Sequence, residues 1–162
     1  MKISPALPQD AGWLDDVIRV EFPYTMFSPE KILLRITDPH YLVLASRQKN
    51  IIQGFLELEF FEEEGEVRLN AVYIEDYWRL MRIATNLIKR AIKEAKKRGM
   101  KRMFLLVKEK NDNAKRLYQR LGFRFERMHD KLIEGSYVEV WALPLQKEHK
   151  RPLRGKGFFL FG

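Results

Sequence analysis

The chain has 162 residues, 46% of them apolar, which suits one domain with a sizeable core. It contains no cysteine, which excludes disulfides, thiolate nucleophiles and cysteine-based zinc sites; its three histidines, His40, His129 and His149, are far apart and show no metal-ligand spacing. The net charge of +8 favours a polyanionic ligand, whether nucleic acid, an anionic membrane or a phosphate-rich cofactor, and fits a merely solvated basic surface equally well.

No apolar run approaches the roughly 20 residues of a membrane span, and Met1-Lys2-Ile3-Ser4-Pro5 shows no apolar leader. A cytoplasmic, metal-free protein is the plain expectation. Ile3 opens a short strand. Pro8 and Asp10 stand where a helix begins, and Trp13, Leu14, Val17, Ile18 and Phe22 carry its spacing. Ser28-Pro29-Glu30 starts a second helix with the apolar face Ile32, Leu33 and Ile36, ended by Asp38-Pro39. Tyr41 to Ala45, Ile51 to Phe60 and Val67 to Ile74 form an antiparallel meander, turned at Lys49-Asn50 and at the acidic stretch before Gly65. A long helix is predicted from Arg79 to Arg98, capped by Gly99. Met103 to Val107 is an unbroken apolar run, as expected of a parallel strand buried on both faces after a right-handed crossover. A helix from Asp112 to Leu121 and two strands, Phe123 to Met128 and Tyr137 to Leu143, close the domain, which covers residues 1–145. Residues 146–162 form a basic and aromatic extension ending in Phe158-Phe159-Leu160-Phe161, expected to pack on the domain or on a partner subunit, with a homodimer possible.

Two segments carry chemistry. In the first, a strand ends at Ile74, a tight loop follows, and a helix begins. The first-turn N–H groups of such a helix have no internal partner and make a phosphate site. A plain strand–helix connection would look the same. The second segment is Asn111-Asp112-Asn113-Ala114-Lys115-Arg116-Leu117-Tyr118-Gln119-Arg120-Leu121-Gly122-Phe123. Ala114, Leu117, Tyr118 and Leu121 share a helical face, so Tyr118 is either core or a phenol aimed at a leaving thiolate. Asn111 is either a helix cap or a partner for an amide-rich cofactor arm.

Together these segments resemble the GNAT superfamily of N-acetyltransferases. The family's loop motif R/Q-x-x-G-x-G/A corresponds to Arg79-Leu80-Met81-Arg82-Ile83-Ala84, with Arg82 standing where the family has glycine. Its motif N-x-x-A-x-x-L-Y-x-x-x-G-F is matched at Asn111, Ala114, Leu117, Tyr118, Gly122 and Phe123. The resemblance implies an α+β fold: a mostly antiparallel sheet of about 6–7 strands with about 4 helices and one parallel pair at the cofactor site. It implies acetyl-CoA as co-substrate, without a metal. Its pyrophosphate would lie on Arg79, Leu80, Met81, Arg82, Ile83, Ala84 and Thr85. Its pantetheine would pair with Val72, Tyr73 and Ile74 like an added strand. Asn111, Asn113, Ala114, Leu117 and Tyr118 would border it, and Tyr118 would serve the departing sulfur as the catalytic residue. The family's occasional fourth-strand glutamate is replaced by Asn70, which leaves Glu75, Glu59 and Glu21 as candidate bases. Residues 20–40 and 129–137 are the expected acceptor region, with Phe22, Tyr24, Phe27 and Tyr41 as an aromatic pocket or as core. The expected activity is acetylation of an amine, on a small molecule or a protein. A non-catalytic acyl-CoA sensor on the same fold is the alternative. The basic run Lys89, Arg90, Lys93, Lys96, Lys97 and Arg98 lacks a base-stacking motif, so no specific nucleic-acid partner and no membrane partner are expected.

Overall fold

The computed structural model describes residues 1–23 and 29–146. The expected extension therefore lies almost wholly outside the described residues, as do Tyr24 and Phe27 of the expected pocket and the Ser28 cap. The elements run β1 (Lys2–Pro5), a 3-10 turn (Pro8–Asp10), α1 (Ala11–Glu21), α2 (Pro29–Thr37), β2 (Tyr41–Gln48), β3 (Ile51–Phe61), β4 (Glu66–Ile74), a 3-10 turn (Asp76–Trp78), α3 (Ile83–Lys97), β5 (Arg102–Lys108), α4 (Asp112–Arg120), β6 (Arg124–Met128) and β7 (Val138–Pro144). The seven strands make one sheet in the order β1-β2-β3-β4-β5-β7-β6. Every neighbouring pair is antiparallel except β4 with β5. The expected α+β architecture is thus the observed one.

Strand alternation sends each face of the sheet to a different layer. Leu56, Leu58 and Phe60 of β3, and Val67 and Leu69 of β4, pack with Leu87, Ile88, Ala91 and Ala95 of α3. Ala114, Leu117, Tyr118 and Leu121 join the same core, so α4 covers that face too. On the opposite face Val43 and Phe55 meet Leu14 and Val17 of α1 and Ile32 of α2. The sheet thus separates two cores, one on each face.

Two features of β4 open the site. Its pairing with β5 covers only Glu66 to Leu69, matched with Arg102 to Leu105. At the same level Glu57 pairs with Ala71 while its neighbour Leu58 pairs with Leu69, so Asn70 is the extra residue of a β-bulge. The bulge resets the alternation: Leu69 and Val72 both belong to the α3 core, and Ala71 and Tyr73 to the α1 side. Beyond Leu69 the two parallel strands part, and β4 from Asn70 to Ile74 carries backbone groups unpaired on its β5 side among the described residues.

Two expectations need correction. The long helix starts at Ile83 rather than Arg79. Leu80 has φ 66° and Arg82 has φ 58°, left-handed angles that no helix propagates. Met103 to Val107 is not buried on both faces. Met103, Leu105 and Val107 are buried, whereas Phe104 and Leu106 are only half-buried. That second face is only half covered, and Leu106 and Lys108 on it line a cleft.

Candidate functional site

The parting of β4 from β5 leaves a hollow on each side of the sheet. On the α3 side lies a groove of about 470 Å³. Its rear edge is Val72, Tyr73 and Ile74; Trp78, Arg79, Leu80, Arg82, Ile83, Ala84 and Thr85 close one end; Asn113, Ala114, Leu117, Tyr118 and Arg120 of α4 form the other wall. Residues from two distant sequence segments therefore share one surface. Of the expected cofactor residues, Met81 and Asn111 do not line it. Met81 is exposed on the loop. Asn111 caps α4, its Oδ1 accepting from the Ala114 N–H at 3.2 Å.

The loop is built to present amides. Arg79 donates from Nε to the Ile74 carbonyl at 3.1 Å and pairs with Asp76 at 2.8 Å, which fixes the turn out of β4. The first intrahelical bond of α3 runs from Asn86 N–H to the Arg82 carbonyl at 3.0 Å. The N–H groups of Ile83, Ala84 and Thr85 therefore have no partner in the helix, and no side chain caps them. They open on the groove at the positive end of the dipole of a 15-residue helix, beside the guanidinium groups of Arg79, Arg82 and Arg120.

The left-handed conformation of Arg82 explains why a glycine would suit that position. A residue with a Cβ is held there at a cost on the order of 1 kcal/mol. Arg82→Gly should accordingly stabilise the free protein by about 1 kcal/mol, raising its melting temperature by roughly 2–4 °C. A lower melting temperature would show instead that the Arg82 side chain holds the loop together.

Tyr118 packs edge-on against Phe123, with ring centroids 5.8 Å apart and planes at 62°. One side of its ring borders the groove. Burial of the phenol pushes its pKa up to about 12. Tyr118 is thus both a core residue and a groove residue, and its hydroxyl stays protonated at neutral pH.

On the other side of the sheet, under α1 and α2, lies a smaller cleft of about 240 Å³. Asn70 and Ala71, neighbours at the bulge, both face it. Its apolar walls include Ile18, Phe22, Phe55, Leu106, Ile133 and Val138. Phe22 and Phe55 are in edge contact at 6.4 Å, and Phe55 reaches Tyr73 at 6.4 Å, linking this cleft to the far end of β4. From the expected acceptor region Phe22, Arg35 and Ile133 take part. Tyr41 does not; Arg35 lies over its ring at 4.8 Å, and burial and the nearby Glu59 charge raise its pKa.

The floor of the cleft is a charged network that sequence reading missed. Glu57, 7% exposed, accepts from Arg35 at 2.7 and 2.6 Å and from Asn70 Nδ2 at 3.0 Å. Asn70 Nδ2 also reaches Glu59 at 3.2 Å, and Arg68 bonds both Glu59, at 2.9 Å, and Asn70 Oδ1. Asn70 is therefore a bridge between two carboxylates, not an isolated substitute for one. Of the candidate bases, Glu59 is held by this network, Glu75 accepts from the Tyr73 hydroxyl at 3.4 Å, and Glu21 is exposed at the end of α1. Both Glu57 oxygens are occupied by Arg35. Among the described residues no group of three or more histidine, aspartate or glutamate side chains could hold a metal, and no helix is long and apolar enough to cross a membrane.

Solved structures share this fold. YncA of Salmonella typhimurium, solved with acetyl-CoA, superposes with a TM-score of 0.78 at 19% identity, over 91% of this chain and 95% of that one. The ribosomal-protein-S18-alanine N-acetyltransferase of Escherichia coli gives 0.74 at 20% identity, over 93% and 97%. The PaiA N-acetyltransferase of Thermoplasma acidophilum, solved with coenzyme A, gives 0.70 at 20% identity, over 86% and 96%. The model of the acetyltransferase (GNAT) family matches residues 10–123, and the chain belongs to that family of acetyl-transferring enzymes. No curated protein sequence matches it.

Proposed function

We propose that this protein transfers the acetyl group of acetyl-CoA to a primary amine by direct attack in a ternary complex. The observation that carries the reading is the parting of β4 from β5 at Asn70, which puts a phosphate-suited groove and an apolar-walled cleft on the two sides of one strand. The structural neighbours solved with acetyl-CoA or coenzyme A support it.

In this reading the pyrophosphate sits on the N–H groups of Ile83, Ala84 and Thr85, and the pantetheine pairs with the unpaired edge of Val72 to Ile74. A β4 N–H polarises the thioester carbonyl. The amine enters from the cleft as the neutral base; an aliphatic ammonium titrates near 10.4, so it must first give its proton to water. Its nitrogen attacks the acetyl carbon, the carbon–sulfur bond breaks, sulfur leaves with the electron pair, and the proton that the new amide nitrogen sheds passes through water to the thiolate. Tyr118 serves that sulfur. Full proton transfer from a phenol at about 12 to the thiolate of a thiol near 8.5 would be uphill by about 5 kcal/mol. Tyr118 therefore works best as a hydrogen-bond donor.

Saturating acetyl-CoA, at about 100 times its dissociation constant, should add about 2.7 kcal/mol of stability. That is a melting shift of roughly 5–10 °C, and ATP at the same concentration should not produce it. An absent shift would overturn the cofactor site. The lack of a base at Asn70 favours a second reading, acyl-CoA binding without catalysis. A panel of amines with free-thiol detection decides between them: binding without thiol release from any amine sinks the enzymatic reading.

A further inference from the structure

The charge of the amine-side cleft carries a reading of the acceptor that its apolar walls do not. Three cations line it, Arg35, Arg68 and Lys108, against one carboxylate, Glu57. Arg35 is committed to Glu57 through two short contacts, and Glu57 is buried, so that pair is neutral and fixed. Arg68 is tied to Glu59 and to Asn70. Lys108 differs. The partner of its ammonium is Glu134 at 3.0 Å, with side chains 43% and 41% exposed. An exposed pair of this kind is worth about 0–1 kcal/mol, so an incoming anion can displace Glu134 at little cost. Lys108 is the last residue of β5, beyond the point where β4 departs, and it faces the cleft at its open end. The cleft holds about 240 Å³, room for a small acceptor or for the end of a longer one.

We infer that the acceptor is an amine carrying a carboxylate, and that Lys108 determines this specificity by binding that carboxylate. The inference rests on the acetyl-transfer reading above. A polycationic acceptor is disfavoured by the Lys108 ammonium at the cleft. The amine lies toward Asn70 and Ala71 and the carboxylate toward Lys108, with the acceptor's apolar part against Leu106 and Val138. Two sources share this chemistry: a free amino acid, and a peptide whose N-terminal residue is followed by an acidic side chain.

The test compares kcat/KM for acceptors of similar size in the full-length protein: a free amino acid, its uncharged amide, two C-terminally amidated dipeptides with an acidic or a neutral second residue, and a diamine. The carboxylate-bearing member should exceed its neutral partner by about tenfold or more at low salt, and the advantage should shrink as salt screens it. Lys108→Ala should collapse the acidic-to-neutral ratio about tenfold, and Lys108→Glu should invert it. The free amino acid and the acidic dipeptide separate the two sources. Turnover that is equal for charged and neutral acceptors, or a ratio unmoved by Lys108→Ala, overturns the inference alone. Absence of thiol release with every amine overturns the acetyl-transfer reading on which it rests. Far-ultraviolet circular dichroism and acetyl-CoA-induced melting shifts of both variants confirm that they fold.

Discussion

Tyr118→Phe is expected to lower kcat about 100-fold, the low end of what losing one hydrogen-bond donor to developing charge costs, while acetyl-CoA affinity changes by less than about threefold. The ring packs in the core against Phe123 and Ala114-side residues of α4, and phenylalanine keeps that packing. What is lost is the hydroxyl at the groove. A second readout separates this role from a structural one. In the unfolded chain the phenol titrates near 10; in the fold burial moves it to about 12. Between those values the unfolded chain releases a proton that the folded chain keeps. The stability that depends on the neutral phenol is therefore whole below pH 10 and is lost as pH rises toward 12, by at most about 1.4 kcal/mol per pH unit. Tyr118→Phe should make that alkaline slope shallower in denaturant titrations, leaving the smaller contributions of Tyr41 and Tyr73. A variant with full kcat would remove Tyr118 from the mechanism, and an unchanged alkaline slope would show that another group causes it.

The residues of the groove were legible in the sequence through two motifs that resemble those of the GNAT family, and part of that pattern rests on local signals. The spacing of Ala114, Leu117 and Tyr118 on one helical face, and the Asn111 cap before them, need only the 3.6-residue period. The start of α3 was placed four residues early for an equally local reason. Arg79-Leu80-Met81-Arg82 contains no glycine or proline and has good helix formers throughout. Nothing in those side chains announces that Leu80 and Arg82 take left-handed angles; tertiary context imposes them. The amine-side cleft was less legible. Glu57 sits in an alternating strand like any solvent-facing acid, and its burial depends on Arg35, which folds back from α2. The bulge at Asn70 has no breaker to mark it, yet it decides which side chains face the cleft. Leu106 and Lys108 become cleft residues only because β4 leaves β5 at Leu69, a fact about pairing rather than pattern.

The same strand makes Gly54 the most consequential glycine in the fold. Gly54 lies on β3 opposite Ile74. A Cβ at this position would stand 2.4 Å from the Tyr73 carbonyl oxygen and 2.6 Å from Ile74 Cδ1. The second atom can rotate away, but the first is backbone and cannot. Gly54→Ala must push the end of β4 outward, at an overpacking cost of about 1–3 kcal/mol, or a melting temperature lower by roughly 3–10 °C. The displaced segment, Val72 to Ile74, is the groove's rear edge and the proposed partner of the pantetheine. Acetyl-CoA affinity should therefore fall at least tenfold, in excess of the stability loss, when measured by calorimetry well below the melting point. Gly12→Ala is the control, because a Cβ there meets nothing within 4 Å; it should leave affinity where it is and stability unchanged or up to about 1 kcal/mol higher, since alanine suits helix α1 better than glycine. Equal affinity in Gly54→Ala and the native chain would mean that the cofactor does not use the edge of β4. The two experiments then part cleanly, since Tyr118 acts on the departing sulfur after binding and Gly54 sets the strand on which binding depends.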